Sequence, residues 1–130
     1  MANKKVLIVD DEIHIVHVVA IKLRNNGYDV ISAENGAEAF KLVQEEKPDI
    51  VVTDFQMPVM NGMELIEKLR QDKAAESLPV ILLTARGFAI TDEQRQQLQV
   101  SAVLSKPFSP KDLLRNIEDV LYQKVTVVNT

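Results

Sequence analysis

The chain of 130 residues contains no cysteine. That excludes disulfides, a thiolate nucleophile and zinc–thiolate centres, and it suits a reducing compartment. No apolar run approaches the ~20 residues of a membrane span, and the opening MANKKVLIVDDE lacks the layout of a signal peptide. There is no internal repeat and no low-complexity stretch. Nor is there an excess of positive charge: the net charge of −4 argues against a nucleic-acid surface, which would need a basic patch. These absences lead us to expect a cytoplasmic protein with no membrane contact and no direct nucleic-acid binding.

What is present is apolar sequence, 46% of the chain, which excludes a disordered polypeptide. The length suits one domain that buries roughly two-thirds of its unfolded surface. Short Val- and Ile-rich runs recur at 5–9, 28–33, 49–53, 79–84 and 101–105. They are bounded by turn residues and lack period-two alternation, as expected of strands covered on both faces of a parallel sheet. Helix-length segments separate them. The first spans 12–25 and stops at Asn25, Asn26 and Gly27. The second opens at Asn35 and Gly36, and the third runs from Gly62 towards Asp72. A polar, Gln-rich fourth lies around Thr91 to Leu98. The fifth has Ser109 as N-cap, Pro110 as its first residue and Leu113, Leu114, Ile117 and Leu121 as its buried stripe. Five strand–helix alternations imply an α/β domain with helices on both faces of a mostly parallel sheet.

In such folds ligands bind beyond the carboxyl ends of the strands. Asp10, Asp11 and Glu12 fall where the first strand stops at that edge, and the edge would collect Asp10, Asp11, Asp54 after the third strand, Thr84 after the fourth and Lys106 after the fifth. Crowded carboxylates resist ionising together, and a hard divalent cation such as Mg2+ and the lysine ammonium would compensate them. The site would attract a phosphoryl group, and a central carboxylate could accept it as an aspartyl phosphate. Taken singly, each residue has a plainer explanation: Asp11 or Glu12 could serve the start of the first helix, and a threonine or Lys-Pro after a strand is commonly structural. The convergence of all of them on successive strand ends carries the phosphoryl reading.

The motifs VLIVDDE, TDFQMPVMNG, LLTAR and SKPFSP, with the spacings between them, resemble the receiver domain of two-component response regulators over about residues 4–122. The resemblance implies a flavodoxin-like three-layer sandwich with five parallel strands in the order 2-1-3-4-5 and five helices. It implies Asp54 as phosphoacceptor. Asp11, Asp54 and the backbone carbonyl of Gln56 would be magnesium ligands, and Asp10 would act near the metal through water. Lys106 would bridge to phosphoryl oxygens, Thr84 would carry the switch through its hydroxyl, and a cis Lys106–Pro107 bond would aim the lysine. The donor would be a phosphohistidine on a histidine kinase or histidine phosphotransfer protein, and the readout a downstream partner or output domain. No conventional enzyme is implied, only phosphoryl transfer to and from the domain itself. An aspartyl-phosphate phosphatase would need a second acid where Gln56 stands, and a flavin carrier would need a phosphate loop where DDE stands.

The chain departs from the family where its usual aromatic, three residues before the lysine, is Val103, and where the acidic pair before it is Ser101 and Ala102. We therefore expect an altered readout with the phosphorylation chemistry intact. Gln56 and Arg86 are expected to overhang the phosphoryl site and set phosphate lifetime. In HIVHVVAIKL, Ile13 and Val16 are expected to face the sheet, leaving Ile15 and Val18 for a docking partner. His14 and His17 have no metal-ligand companions and are expected in solvent or at a partner. Residues 1–122 form the expected domain, and 123–130 a tail or the start of a linker.

Overall fold

The computed structural model describes residues 3–85 and 90–122. Five strands, β1 (Lys5–Val9), β2 (Asp29–Ala33), β3 (Ile50–Asp54), β4 (Val80–Thr84) and β5 (Ala102–Ser105), alternate with five helices, α1 (Ile13–Arg24), α2 (Gly36–Glu46), α3 (Gly62–Gln71), α4 (Asp92–Gln97) and α5 (Pro110–Tyr122). All four strand pairings are parallel and the order is β2-β1-β3-β4-β5. This is the flavodoxin-like sandwich that the sequence led us to expect. The expected tail, 123–130, lies outside the described residues.

The uninterrupted apolar runs are explained by a sheet buried on both faces. Along β1, Val6 and Ile8 join a core with Leu23 of α1 and Leu113 and Ile117 of α5. Leu7 and Val9 point the other way, towards Val43 of α2 and Leu65, Ile66 and Leu69 of α3. The helix starts follow cap chemistry. Asn35 accepts from the Glu38 amide, Asn61 forms a capping box with Glu64 and Thr91 forms one with Gln94; Ser109 Oγ accepts from the Asp112 amide at 3.1 Å. The cap on α4 explains how a polar helix with no buried residue is still defined. No helix among the described residues is long and apolar enough to cross a membrane.

The first turn of α1 corrects one expectation. Ile13 does not face the sheet; it is 65% exposed. The buried stripe is Val19, Ala20 and Leu23, with Ile15 and Val16 both partly buried against the same core. The N-terminal turn of α1 sits at the carboxyl ends of the strands, where the sheet beneath it runs out. Val18 is exposed, as expected.

Two features of the β3–α3 connection bear on the site. A Cβ at Gly62 would collide with the carbonyl oxygen of Asp54, so the loop folds back onto the end of β3 only because this residue is glycine. Its amide donates to the Phe55 carbonyl at 2.9 Å. Before it, Val59 holds φ at 70°, and the Met60 amide donates to Pro58 across it at 2.7 Å. Positive φ is strained for a β-branched residue, by ~1–3 kcal/mol. Val59 is 82% exposed, so little packing offsets the strain. Val59→Gly should therefore stabilise the domain by about 1 kcal/mol, after allowing for the extra chain entropy of glycine. Thermal or urea unfolding checks this, and a destabilised variant would show that the valine side chain makes a contact worth more than the strain.

Candidate functional site

Of the strand-end residues, Asp11, Asp54 and Lys106 line an open cavity of about 730 Å³ together with Glu12, Gln56, Asn61 and Ala85, while Asp10 and Thr84 are buried and do not line it. Asp54 is the last residue of β3 and is 7% exposed. Asp10 follows β1 and is 1% exposed. Carboxylate oxygens of Asp10, Glu12 and Asp54 lie within 4.8 Å of one another. Asp11 is exposed and lines the same cavity outside that tight group. Glu12 was missed as a member of the cluster, because adjacent acids in a strand-to-helix turn carry no sequence mark of which one turns inward.

Lys106 enters from the loop after β5, across the cis Lys106–Pro107 bond. Its amide donates to the Thr84 carbonyl at 2.7 Å, which ties it to the end of β4. Its Nζ donates to Asp10 Oδ2 at 3.1 Å and to Glu12 Oε1 at 3.0 Å, and stands 3.4 Å from Asp54 Oδ2. Asp10 is held from a second side, since the Glu12 amide donates to its Oδ1 at 2.9 Å.

Charge at the site is balanced with difficulty. Burial raises the Asp54 pKa above the ordinary carboxylate value and the neighbouring Asp10 charge adds to it, while Lys106 works against both. Burial likewise raises Asp10, opposed by the Glu12 amide and Lys106. Burial alone would lower Lys106, but its bonds to Glu12 and Asp10 and the charges of Asp10 and Asp54 outweigh that and leave it raised. Three carboxylates share one ammonium, so the oxygen-rich cavity has spare negative charge suited to a hard divalent cation.

Thr84 closes β4, is buried, and pairs in register with Ser105. Gln56 is exposed at the cavity; Arg86 lies outside the described residues. Val103 is partly buried against the α2–α3 side of the sheet. An apolar groove of about 580 Å³ adjoins the cavity, lined among others by Glu12, His14, Ile15, Val18, Lys106 and Phe108. Ile15 and Val18 therefore share one groove. His14 lines its edge, and both histidines are exposed.

Residues 6–118 match a family model described as the response regulator receiver domain. The chain is 37% identical over 123 residues to the phosphate regulon transcriptional regulatory protein PhoB of Pseudomonas aeruginosa, covering 93% of this chain and 53% of that protein. It is 36% identical over 119 residues to a chemotaxis protein CheY homologue of Campylobacter jejuni, covering 90% of this chain and 92% of that protein. The chain thus spans about half the length of PhoB and nearly all of the CheY homologue. Among solved structures, chemotaxis response regulator CheY4 of Vibrio cholerae superposes with a TM-score of 0.84 at 33% identity, over 92% of this chain and 99% of that one.

Proposed function

The chain belongs to the response regulator receiver domain family, a phosphorylation-activated switch of two-component signalling, and we propose that Asp54 is its phosphoacceptor. The observation that carries this reading is the position of Asp54, at the end of the central strand β3, on the cavity wall, within reach of the Lys106 ammonium. In the transfer, an Asp54 carboxylate oxygen forms the new P–O bond as the donor's P–N bond breaks. The leaving imidazole keeps the electron pair and takes up a proton. Lys106 meets the phosphoryl oxygens, and Thr84, one strand away, supplies a hydroxyl to them and carries the change to the β4–α4 surface. Asp11, Asp54 and the Gln56 carbonyl are the ligands assigned to Mg2+, with Asp10 acting through water. These residues would hold the ion, which would supply positive charge to the transferring phosphoryl group.

The phosphohistidine partner, a histidine kinase or histidine phosphotransfer protein, is assigned to the groove of Ile15 and Val18, because that groove shares Glu12 and Lys106 with the phosphoryl cavity. The readout is a changed affinity for a downstream partner or an output domain. The protein acts in the cytoplasm, and its only catalysis is transfer to and hydrolysis from its own aspartate. The test is incubation with phosphoramidate and Mg2+, followed by mapping of the phosphate adduct. Uptake at Asp54 is expected; uptake elsewhere, or none, overturns the assignment.

Gln56 and Arg86 are assigned to phosphate lifetime, because their long polar side chains follow the acceptor and the switch threonine by two residues. Replacing both by alanine should change the dephosphorylation rate severalfold with Mg2+ affinity nearly unchanged, since the Gln56 ligand is a backbone carbonyl. A double variant that loses phosphate at the wild-type rate would remove them from that role.

A further inference from the structure

Glu12 occupies the N-cap position of α1, yet its side chain makes no capping hydrogen bond. Its amide is turned to Asp10 Oδ1, and its carboxylate is turned to Lys106 Nζ at 3.0 Å. The ammonium therefore has three carboxylates around it, from Asp10, Glu12 and Asp54. An arriving phosphoryl group brings its own anionic oxygens and must take a share of the same ammonium. One carboxylate has to yield. The Asp10 side chain has no exposed surface and is bonded through both oxygens. Asp54 is the point of attachment. The Glu12 side chain is 59% exposed, so water can replace Lys106 at little cost.

We propose that Glu12 is a positioning residue that tethers Lys106 in the resting domain and competes with the phosphoryl group for it, slowing phosphorylation of Asp54. This rests on the reading of Asp54 as acceptor and Lys106 as its phosphoryl contact. The alternative role for Glu12, a magnesium ligand within the tight carboxylate group, makes the opposite prediction for rate and metal affinity.

The test is the initial rate of phosphate uptake from phosphoramidate, with Mg2+ affinity measured on each variant. Glu12→Ala should be about two- to fivefold faster than wild type, the range for losing one solvent-exposed ion pair. Glu12→Asp keeps the charge, but it is shorter by a methylene and can take the vacant cap bond. It should show more than half of that gain. Glu67→Gln, the same charge change at an exposed position of α3, should leave the rate unchanged. Mg2+ affinity should stay within about twofold throughout, because the tether holds the lysine and not the metal. A slower Glu12→Ala variant with weakened Mg2+ binding makes Glu12 a metal ligand and overturns the proposal. A Glu12→Asp variant at the wild-type rate overturns it too, leaving only charge repulsion of the donor. If wild type takes up phosphate at Asp54 and all three variants match it, the tether is wrong and the acceptor stands. If wild type takes up none, the acceptor reading falls and the tether with it.

Discussion

Asp54→Asn should abolish phosphate uptake from phosphoramidate and, in the absence of metal, raise the stability of the domain. Asparagine keeps the shape at the end of β3 but offers no anionic oxygen to form the P–O bond, so the loss is complete. The stability gain follows from the charge balance. Burial and the Asp10 charge hold the folded-state pKa of Asp54 above that of the unfolded chain. The folded state then binds the proton more tightly than the unfolded one, and stability falls as pH rises from the ordinary carboxylate range through the folded pKa. Above the folded pKa this penalty is fully present, and the amide removes it. The gain should be on the order of 1 kcal/mol, a few degrees in melting temperature for a domain of this size. It should shrink as pH is lowered towards the ordinary carboxylate pKa of about 4, where wild type is itself protonated. It should also shrink when Mg2+ is added, because the ion stabilises wild type more than the variant. Melting curves of both proteins against pH, with and without Mg2+, check all of these. A variant less stable than wild type at neutral pH without metal would show that the contact with Lys106 outweighs the repulsion.

Much of this site was legible from strand ends alone. Asp10, Asp54, Thr84 and Lys106 close or follow apolar runs at one edge of a parallel sheet, and connectivity then forces them together whatever their separation in sequence. The Ser109 cap and the helix openings near Asn35 and Thr91 were legible for a similar reason, because the signal is local and the backbone need is fixed. What escaped were features set by how the chain turns within one or two residues. Nothing in DDE says that Asp10 is buried, that Asp11 stays exposed at the cavity wall and that Glu12 turns back onto Lys106. Nothing at Val59 announces a positive φ. Ile13 lies on the angular stripe of α1 that faces the sheet, but it falls where the sheet ends, and a helical wheel carries no information about where its partner stops.

Arg70 is the largest such omission, and Arg70→Met should cost about 3 kcal/mol or more, a fall of roughly 10 °C in melting temperature. In sequence it reads as a basic residue in the last turn of a helix, worth a few tenths of a kcal/mol through the dipole. In the structure its guanidinium serves five backbone carbonyls in two loops. Nε donates to Leu98 at 2.8 Å and one terminal nitrogen to Gln99 at 3.1 Å, both in the α4–β5 connection. The other terminal nitrogen donates to Ala75 at 3.3 Å, Glu76 at 3.1 Å and Leu78 at 2.8 Å, in the α3–β4 connection. Burial lowers its pKa, but each bond is charge-assisted, and the planar fork reaches both loops at once. Methionine keeps the apolar stem but removes the guanidinium from all five carbonyls, of which Ala75 still accepts from the Leu78 amide at 3.1 Å. Arg70→Lys should recover less than half of the loss, because a single ammonium has three donors and no fork. Below its melting transition the Arg70→Met variant should still take up phosphate at Asp54, since β3 and the cavity do not depend on these loops. Its amide exchange should quicken at Val100 and Ser101, whose backbone bonds join α4 and β5 to their neighbours. A variant that melts within a degree or two of wild type would mean that water replaces the guanidinium at nearly all five carbonyls. In that case the α3–β4 and α4–β5 connections are held by their own chain rather than by α3.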